Sequence, residues 1–399
     1  MHIPDGYLSP STCAALYASA TPFWYVAMSR VKRLLRTKVI PLLSVFAAFS
    51  FVIMMFNLPL PGGTTGHAVG VGIASIVLGP WASILALSIA LTIQAVFFGD
   101  GGITTLGANC FNMAIVGSLV AYGVYRLISG KSAISSGRRV VAGALAGYAA
   151  INASAFFAAI EFGIQPLLFK DSAGAPLYAP YPLHIALPAM MIGHLTFAGL
   201  AEMIITGGVV SYLQRSDPAL LRQTAPGVDD SAPAEGDRYR GRGWRSARPL
   251  WLGLALLMVL TPLGLLAAGS AWGEWSPGDF TNPATRSQIA TASGDQAPPE
   301  SPPTGIDRLS RLWTAPMSHY SPPFMRSPAF GYLMSAMVGV GLIAIVFFAV
   351  SFFGGERTGR SGGSSRAQDR IKDRADNPLD RPAEDEPFEI STPSANRDR

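Results

Sequence analysis

The sequence predicts an all-α polytopic membrane protein, a helical bundle of about seven spans followed by a two-span C-terminal unit. Three observations predict it. Hydrophobic residues make up 49% of the 399 and charged residues only 14%, against roughly 25% charged in soluble domains. Mean hydropathy is +0.32. Polar sequence rich in Pro, Gly, Arg or Asp is confined to residues 213–248, 270–329 and 354–399, and long apolar runs fill the rest. That deficit of charge argues against a soluble enzyme of this length.

Nine apolar stretches are expected, at about 11–29, 39–57, 66–79, 81–98, 107–128, 140–160, 184–212, 249–269 and 330–353. A helix needs ~20 residues to cross ~30 Å of hydrocarbon. The Gly66–Gly79 stretch is too short to cross alone and is expected to be tilted, re-entrant or buried among neighbours. The net charge is only +5, and the basic residues cluster beside the apolar stretches, which makes them topology signals and predicts no nucleic-acid partner. Of the 30 Lys and Arg, only Lys170, Arg286, Arg308, Arg311 and Arg326 fall on one side of the resulting topology. The other side, crowded at 30–38, 126–139, 213–248 and beyond 354, is then the cytoplasm. This predicts a multi-pass protein of the cell membrane with its N-terminus outside and its C-terminus inside. It divides into a first membrane unit over 1–212, a cytoplasmic linker over 213–248, a two-span accessory unit with an outer loop over 249–353, and a disordered tail over 354–399. No basic residue precedes Arg30, so no cleavable signal peptide is expected and the mature chain is expected to begin at Met1. Cys13 and Cys110 lie in apolar context and read as packing residues, without a disulfide framework or a cysteine zinc site.

Of the five histidines, His2, His67, His184, His194 and His319, the first is unusual by position. A histidine at position 2 can form fused chelate rings through the terminal amine, its own amide nitrogen and Nδ1. These three nitrogens lie in one plane and favour Cu(II) or Ni(II), with Co(II) also open. One further ligand completes a square, and His67 leads because it lies on the same side in a loop carrying Pro59, Pro61, Gly62, Gly63 and Gly66. Pro4, Asp5 and Gly6 form a turn signature able to fold the terminus back. Asp100, Asn109 and Asn112 offer hydrogen bonds that orient an imidazole, and Gln94 lies within a span and needs a partner. Helix capping or interhelical bonding is the alternative use of each.

These residues resemble the substrate-binding membrane subunit of energy-coupling-factor cobalt/nickel importers, the CbiM/NikM family. The pieces that carry the resemblance are MHIPDGYLSP at 1–10, FNLPLPGGTTGHAVG at 56–70, QAVFFGDGGITTLGANCFNMA at 94–114 and HLTFAGLAEMIIT at 194–206. The resemblance implies Co(II) or Ni(II) as transported substrate, held by the Met1 amine, the His2 amide and imidazole, and His67. It places Asn109 and Asn112 around a buried terminus. It implies two cytoplasmic ATPase subunits and a coupling transmembrane subunit as partners in the lipid membrane, with no nucleotide bound here and no catalytic residue. The segment from 249 onward is similar to the small second subunit of these importers (CbiN/NikN, PDGLE-type), although this chain reads GEWSPGDF where a PDGLE-like motif often stands. A planar nitrogen site suits Ni(II), while the fused arrangement resembles members assigned to cobalt.

The remaining polar residues have plainer readings. His184 begins the seventh stretch and is expected to be solvated or to cap a helix, and His319 in the outer loop either touches metal in transit or is an ordinary loop residue. His194 lies ~15 Å deeper than His184, and Glu202 a further ~12 Å down. They read first as a structural polar network, with a proton path or a hydrolase site as alternatives. An intramembrane metallohydrolase using His184, His194 and Glu202 is thus a competing function, as is a secondary metal/proton permease. Lys131 lies in a GKS sequence at 130–132, but Tyr125 stands where a nucleotide-binding loop needs glycine. Small-residue rows at Gly66, Gly70 and Ala74, and at Gly143 and Gly147, either dock a partner or pack within the chain.

Overall fold

The computed structural model describes residues 1–34, 40–222, 224–225, 243–267, 269–322 and 324–355. Each of the nine expected stretches carries a helix. In chain order these are α1 (Pro10–Leu34), α2 (Ile40–Met54), α3 (Val71–Leu78), α4 (Pro80–Ile93), α5 (Leu106–Asn109), α6 (Gly117–Ser129), α7 (Gly137–Leu168), α8 (Leu183–Gly193), α9 (Gly199–Ser216), the short α10 (Pro218–Arg222) and α11 (Gly243–Leu260). The outer loop adds α12 (Pro283–Ala292) and α13 (Thr304–Leu309), and α14 (Pro328–Gly355) comes after it. Three wide π turns join or extend these helices, at Gln94–Phe98, Cys110–Val116 and His194–Ala198. Leu106–Ser129 and Leu183–Ser216 are therefore continuous rods.

Among the described residues, five helices are long and apolar enough to cross a membrane: Pro80–Phe98, Leu106–Ser129, Gly137–Leu168, Leu183–Ser216 and Pro328–Val350. Ile40–Met54 and Leu250–Leu266 are apolar but shorter. The third expected stretch is helical only over Val71–Leu78, because its first residues go elsewhere. Pro59, Pro61 and two glycines bend residues 58–66 into a hairpin, β1 (Leu58–Leu60) against β2 (Thr64–Gly66), with Leu58 opposite Gly66 and Leu60 opposite Thr64. Outward-facing Leu127 and Ile204 are 81% and 70% exposed on helices whose other faces are buried, which suits a lipid surround.

Small residues decide the central packing. Helix α7 lies against α3 and α9, and its Ala142, Gly143, Ala146, Gly147 and Ala150 are all buried. A methyl on Gly72 of α3 would collide with Thr206 Oγ1 and come within 2.8 Å of the Gly147 Cα. Gly143 and Gly147 are thus used inside the chain, letting backbones approach closely. Residues 130–132 form the turn between α6 and α7, where the buried Arg139 guanidinium donates to the Ser132 carbonyl at 2.7 Å and to Tyr125 at 3.1 Å.

Residues Met1–Ser351 form one compact unit. The outer loop after α11 lies directly on the first helices. Thr65 N donates to the Ser270 carbonyl at 3.2 Å, Gly305 N to the Leu177 carbonyl at 2.7 Å, and Met317 N to the Phe97 carbonyl at 3.0 Å. Trp272 packs edge-on to Phe162 at 5.7 Å, and Tyr7 approaches the same ring at 5.6 Å. Phe352–Arg399 forms the other unit and is described only to Gly355. The expected tail and most of the expected linker lie outside the described residues.

Gly72→Ala should overpack the α3–α7–α9 contact and cost about 1–3 kcal/mol, read as a lower unfolding temperature in detergent. Gly123→Ala is the control, since nothing lies within 4 Å of its added methyl. It should leave that temperature unchanged or slightly raised.

Candidate metal centre

The chain's first residues are buried: Met1 is 3%, His2 1% and Ile3 0% exposed. A buried extended segment needs partners for its backbone groups, and here a side-chain amide supplies them for Ile3. Ile3 N donates to Asn109 Oδ1 at 2.8 Å, while Asn109 Nδ2 donates back to the Ile3 carbonyl at 3.1 Å. Gly102 N at 2.9 Å and the Thr105 hydroxyl donate to that same carbonyl. Asp5 then reaches into the 99–105 loop, accepting from Ile103 N at 3.1 Å and Thr104 N at 2.7 Å. Tyr7 OH donates to the Trp275 carbonyl at 2.7 Å, and Ser9 N to Gln165 Oε1 at 3.0 Å. Gly101 closes the site: its φ of +83° and the 3.3 Å from its would-be Cβ to His2 Nδ1 leave no room for a side chain.

The structure brings His2 and His67 together, with ring centroids 5.1 Å apart and ring planes inclined at 53°. His67 comes directly after β2 and is 6% exposed. Its Nδ1 lies 3.1 Å from the Ala68 carbonyl. A carbonyl only accepts, so Nδ1 carries the proton and Nε2 keeps a free lone pair. Neither ring nitrogen of His2 has a hydrogen-bond partner among the described residues. Asp100 Oδ1 is 3.5 Å from His2 Nδ1, beyond ordinary hydrogen-bond distance. Burial pushes the His2 imidazole down to about 4, against the pull of the Glu274 carboxylate. Burial, helped by His2 and the Met1 ammonium, pushes His67 down to about 3. Both rings are neutral at neutral pH, the form that binds metal.

The Met1 amine donates to Glu274 Oε1 at 3.1 Å. Glu274 comes from the accessory segment, and its sequence context gave no warning of this role. Asp100 is fixed from behind by the same segment: Tyr320 OH donates to Asp100 Oδ2 at 2.5 Å, and Gln94 Nε2 donates to Tyr320 OH at 3.0 Å. Gln94 thus finds its partner in Tyr320, which stacks on Phe98 at 5.0 Å. Asn112 turns away from the terminus and donates to Glu161 Oε2 at 2.8 Å. A cavity of about 580 Å³ opens over the site, lined among others by His67, Asp100, Glu274, His319 and Tyr320.

The other histidines do not join this cluster by direct bonds. His194 Nδ1 pairs with the Met190 carbonyl at 2.8 Å, His184 is exposed, and Glu202 accepts from the backbone at 69–72. No hydrogen bond joins His184, His194 and Glu202 to one another among the described residues. Among the described residues, no three His, Cys, Asp or Glu side chains group to hold a metal ion.

A family model described as the cobalt uptake substrate-specific transmembrane region, CbiM, matches residues 2–220. A fused nickel transport protein NikMN of Rhodobacter capsulatus is 56% identical over 343 residues, covering 86% of this chain and 95% of that protein. A probable fused nickel transport protein LarMN of Lactiplantibacillus plantarum is 44% identical over 294 residues, 73% of this chain and 83% of its own length. The crystal structure of a truncated transition metal transporter is 51% identical, with a TM-score of 0.51, and covers 53% of this chain and 98% of that one. The chain therefore belongs to the CbiM family of substrate-specific transmembrane subunits, fused here to a NikN-like C-terminal unit.

Proposed function

We propose that this chain captures a divalent transition-metal ion at its outer membrane face and hands it inward as the substrate-specific component of an energy-coupling-factor importer. The ion is held by the Met1 amine, the His2 amide nitrogen and Nδ1, and His67 Nε2. Residues 1–212 form the binding unit, and 249–353 an accessory unit reaching over it. The N-terminus is outside and the C-terminus cytoplasmic. ATP hydrolysis falls to cytoplasmic partner subunits, reached through a coupling transmembrane subunit.

The observation that carries this reading is a pair of neutral, buried imidazoles 5.1 Å apart beside a buried terminal amine. Metal–nitrogen bonds of ~2.0–2.1 Å let two rings at that spacing reach one ion. A planar set of four nitrogens suits Ni(II), and both fused relatives carry nickel in their names. We therefore place Ni(II) ahead of Co(II), although the fused arrangement alone had suggested cobalt. Binding expels a proton from the Met1 ammonium and another from the His2 amide. Glu274, 3.1 Å from the amine, is placed to hold that ammonium until an ion arrives.

A competitive Ni(II) and Co(II) titration read by absorption tests the chelate. One residue added ahead of Met1 moves the imidazole to position 3. Affinity should then fall by more than the roughly 100-fold that losing an outer hydrogen-bond partner costs. Unchanged affinity would exclude the terminal chelate. His67→Ala should weaken binding and shift the absorption bands, and an unshifted spectrum removes His67 as a ligand. Both rings sit below the ordinary 6.5, at about 4 and about 3, so the unfolded chain binds more protons between those values. The stability they contribute is complete above pH 6.5 and is lost as the pH falls toward 4 and 3. The unfolding temperature of metal-free protein should drop across that window, and His67→Ala should flatten the slope.

A further inference from the structure

The geometry points to Glu202 as a positioning residue for His67, acting through the Ala68–Val69 peptide that both of them touch. The inference rests on His67 being a ligand, as proposed above.

Glu202 lies in α9 and is 0% exposed. Its Oε2 accepts from Val69 N at 2.8 Å and Gly70 N at 2.9 Å. Its Oε1 accepts from Gly72 N at 3.1 Å, with Thr206 Oγ1 at 3.5 Å. These backbone donors lead into α3, whose first turn has no local cap: Gly70 stands at the N-cap with φ +73° and no side-chain hydrogen bond. Buried N–H groups there need an acceptor, and α9 supplies one from 130 or more residues away.

One peptide links this carboxylate to the imidazole. The N–H of Val69 and the carbonyl of Ala68 belong to the same planar unit. Glu202 takes the N–H end. The carbonyl end takes His67 Nδ1 at 3.1 Å. The carboxylate fixes the plane, and the plane fixes the ring. An amide whose N–H faces an anion also accepts more strongly at its oxygen, which raises electron density at His67 Nε2. Metal-ligating histidines commonly pass their second N–H to a carboxylate or a backbone carbonyl; here the two arrangements stand in series. The hairpin adds a second hold on the same segment, since Leu60 packs against both Gly66 and Gly193, the latter at the end of α8.

Glu202→Gln keeps the side chain's shape and one acceptor oxygen but removes the charge. Ni(II) affinity, measured by competitive titration of the full chain in detergent, should fall about 10–100-fold. In a His67→Ala background the same substitution should leave the residual affinity unchanged. A loss of equal size in both backgrounds assigns Glu202 to general stability and overturns the inference, as does an unaltered affinity in the His67 background. If His67→Ala itself has no effect, the ligand assignment falls and this inference with it. If Glu202→Gln does not fold, Glu202→Asp retains both oxygens at shorter reach, and its loss should again be confined to the His67 background. A readout without metal completes the test. In protein carrying 15N-labelled histidine, the His67 Nδ1–H resonance should move on Glu202→Gln, and an unmoved resonance overturns the relay.

Discussion

The site depends on one pairing, the Asn109 amide against both backbone groups of Ile3. A chain terminus is ordinarily the least constrained part of a fold. To bury one, its polar groups must be matched, because an unmatched buried donor or acceptor costs about 1–3 kcal/mol. Asn109 offers an acceptor and a donor side by side, so it acts as one residue of a neighbouring strand would. It does so at the end of α5, where the helix widens into the Cys110–Val116 π turn. The adjacent Asp5 contacts fix the same stretch to the 99–105 loop. His2 is thereby presented at a fixed height beside His67.

The three π turns share a location. Gln94–Phe98 ends at the loop carrying Asp100, Cys110–Val116 begins immediately after Asn109, and His194–Ala198 underlies the hairpin that leads to His67. Each inserts an extra residue in the helical turn and re-aims the next side chains, a device common at functional sites. The accessory segment adds side chains to the cluster as well as backbone contacts around it. Glu274 meets the amine and Tyr320 meets Asp100, so two outer contacts of the cluster come from the last third of the chain.

Much of this was readable in the sequence, for identifiable reasons. Apolar runs fix helix positions because lipid leaves backbone no other partner. The position of His2 alone is as readily that of a solvated terminus; it was the Gly- and Pro-rich approach to His67 and the resemblance of both segments to one family that made the pair legible. The hairpin at 58–66 was hidden, and the third stretch was drawn too long, because glycine and threonine fit strand and helix end alike. The π turns were hidden too: they are set by neighbours rather than by local preference. Glu274 carried no local signal, being 273 residues from its partner. Asn112 looked equivalent to Asn109 three positions away, yet three residues on a widened turn no longer share a face, and it meets Glu161 instead. Glu202 was read as part of a polar network, and only the fold shows that its partners are backbone groups next to His67.

The separation between Met1 and Glu274 has a consequence for synthesis. At about 5–20 residues per second, the carboxylate leaves the ribosome roughly 14–55 seconds after the amine it will face. Throughout that interval the front end lacks the counter-charge it meets in the fold. Once the outer loop is in place, the same amine is paired and buried. The pair between the first residue and Glu274 can therefore close only after about two-thirds of the chain has been made, so it is a late contact in assembly.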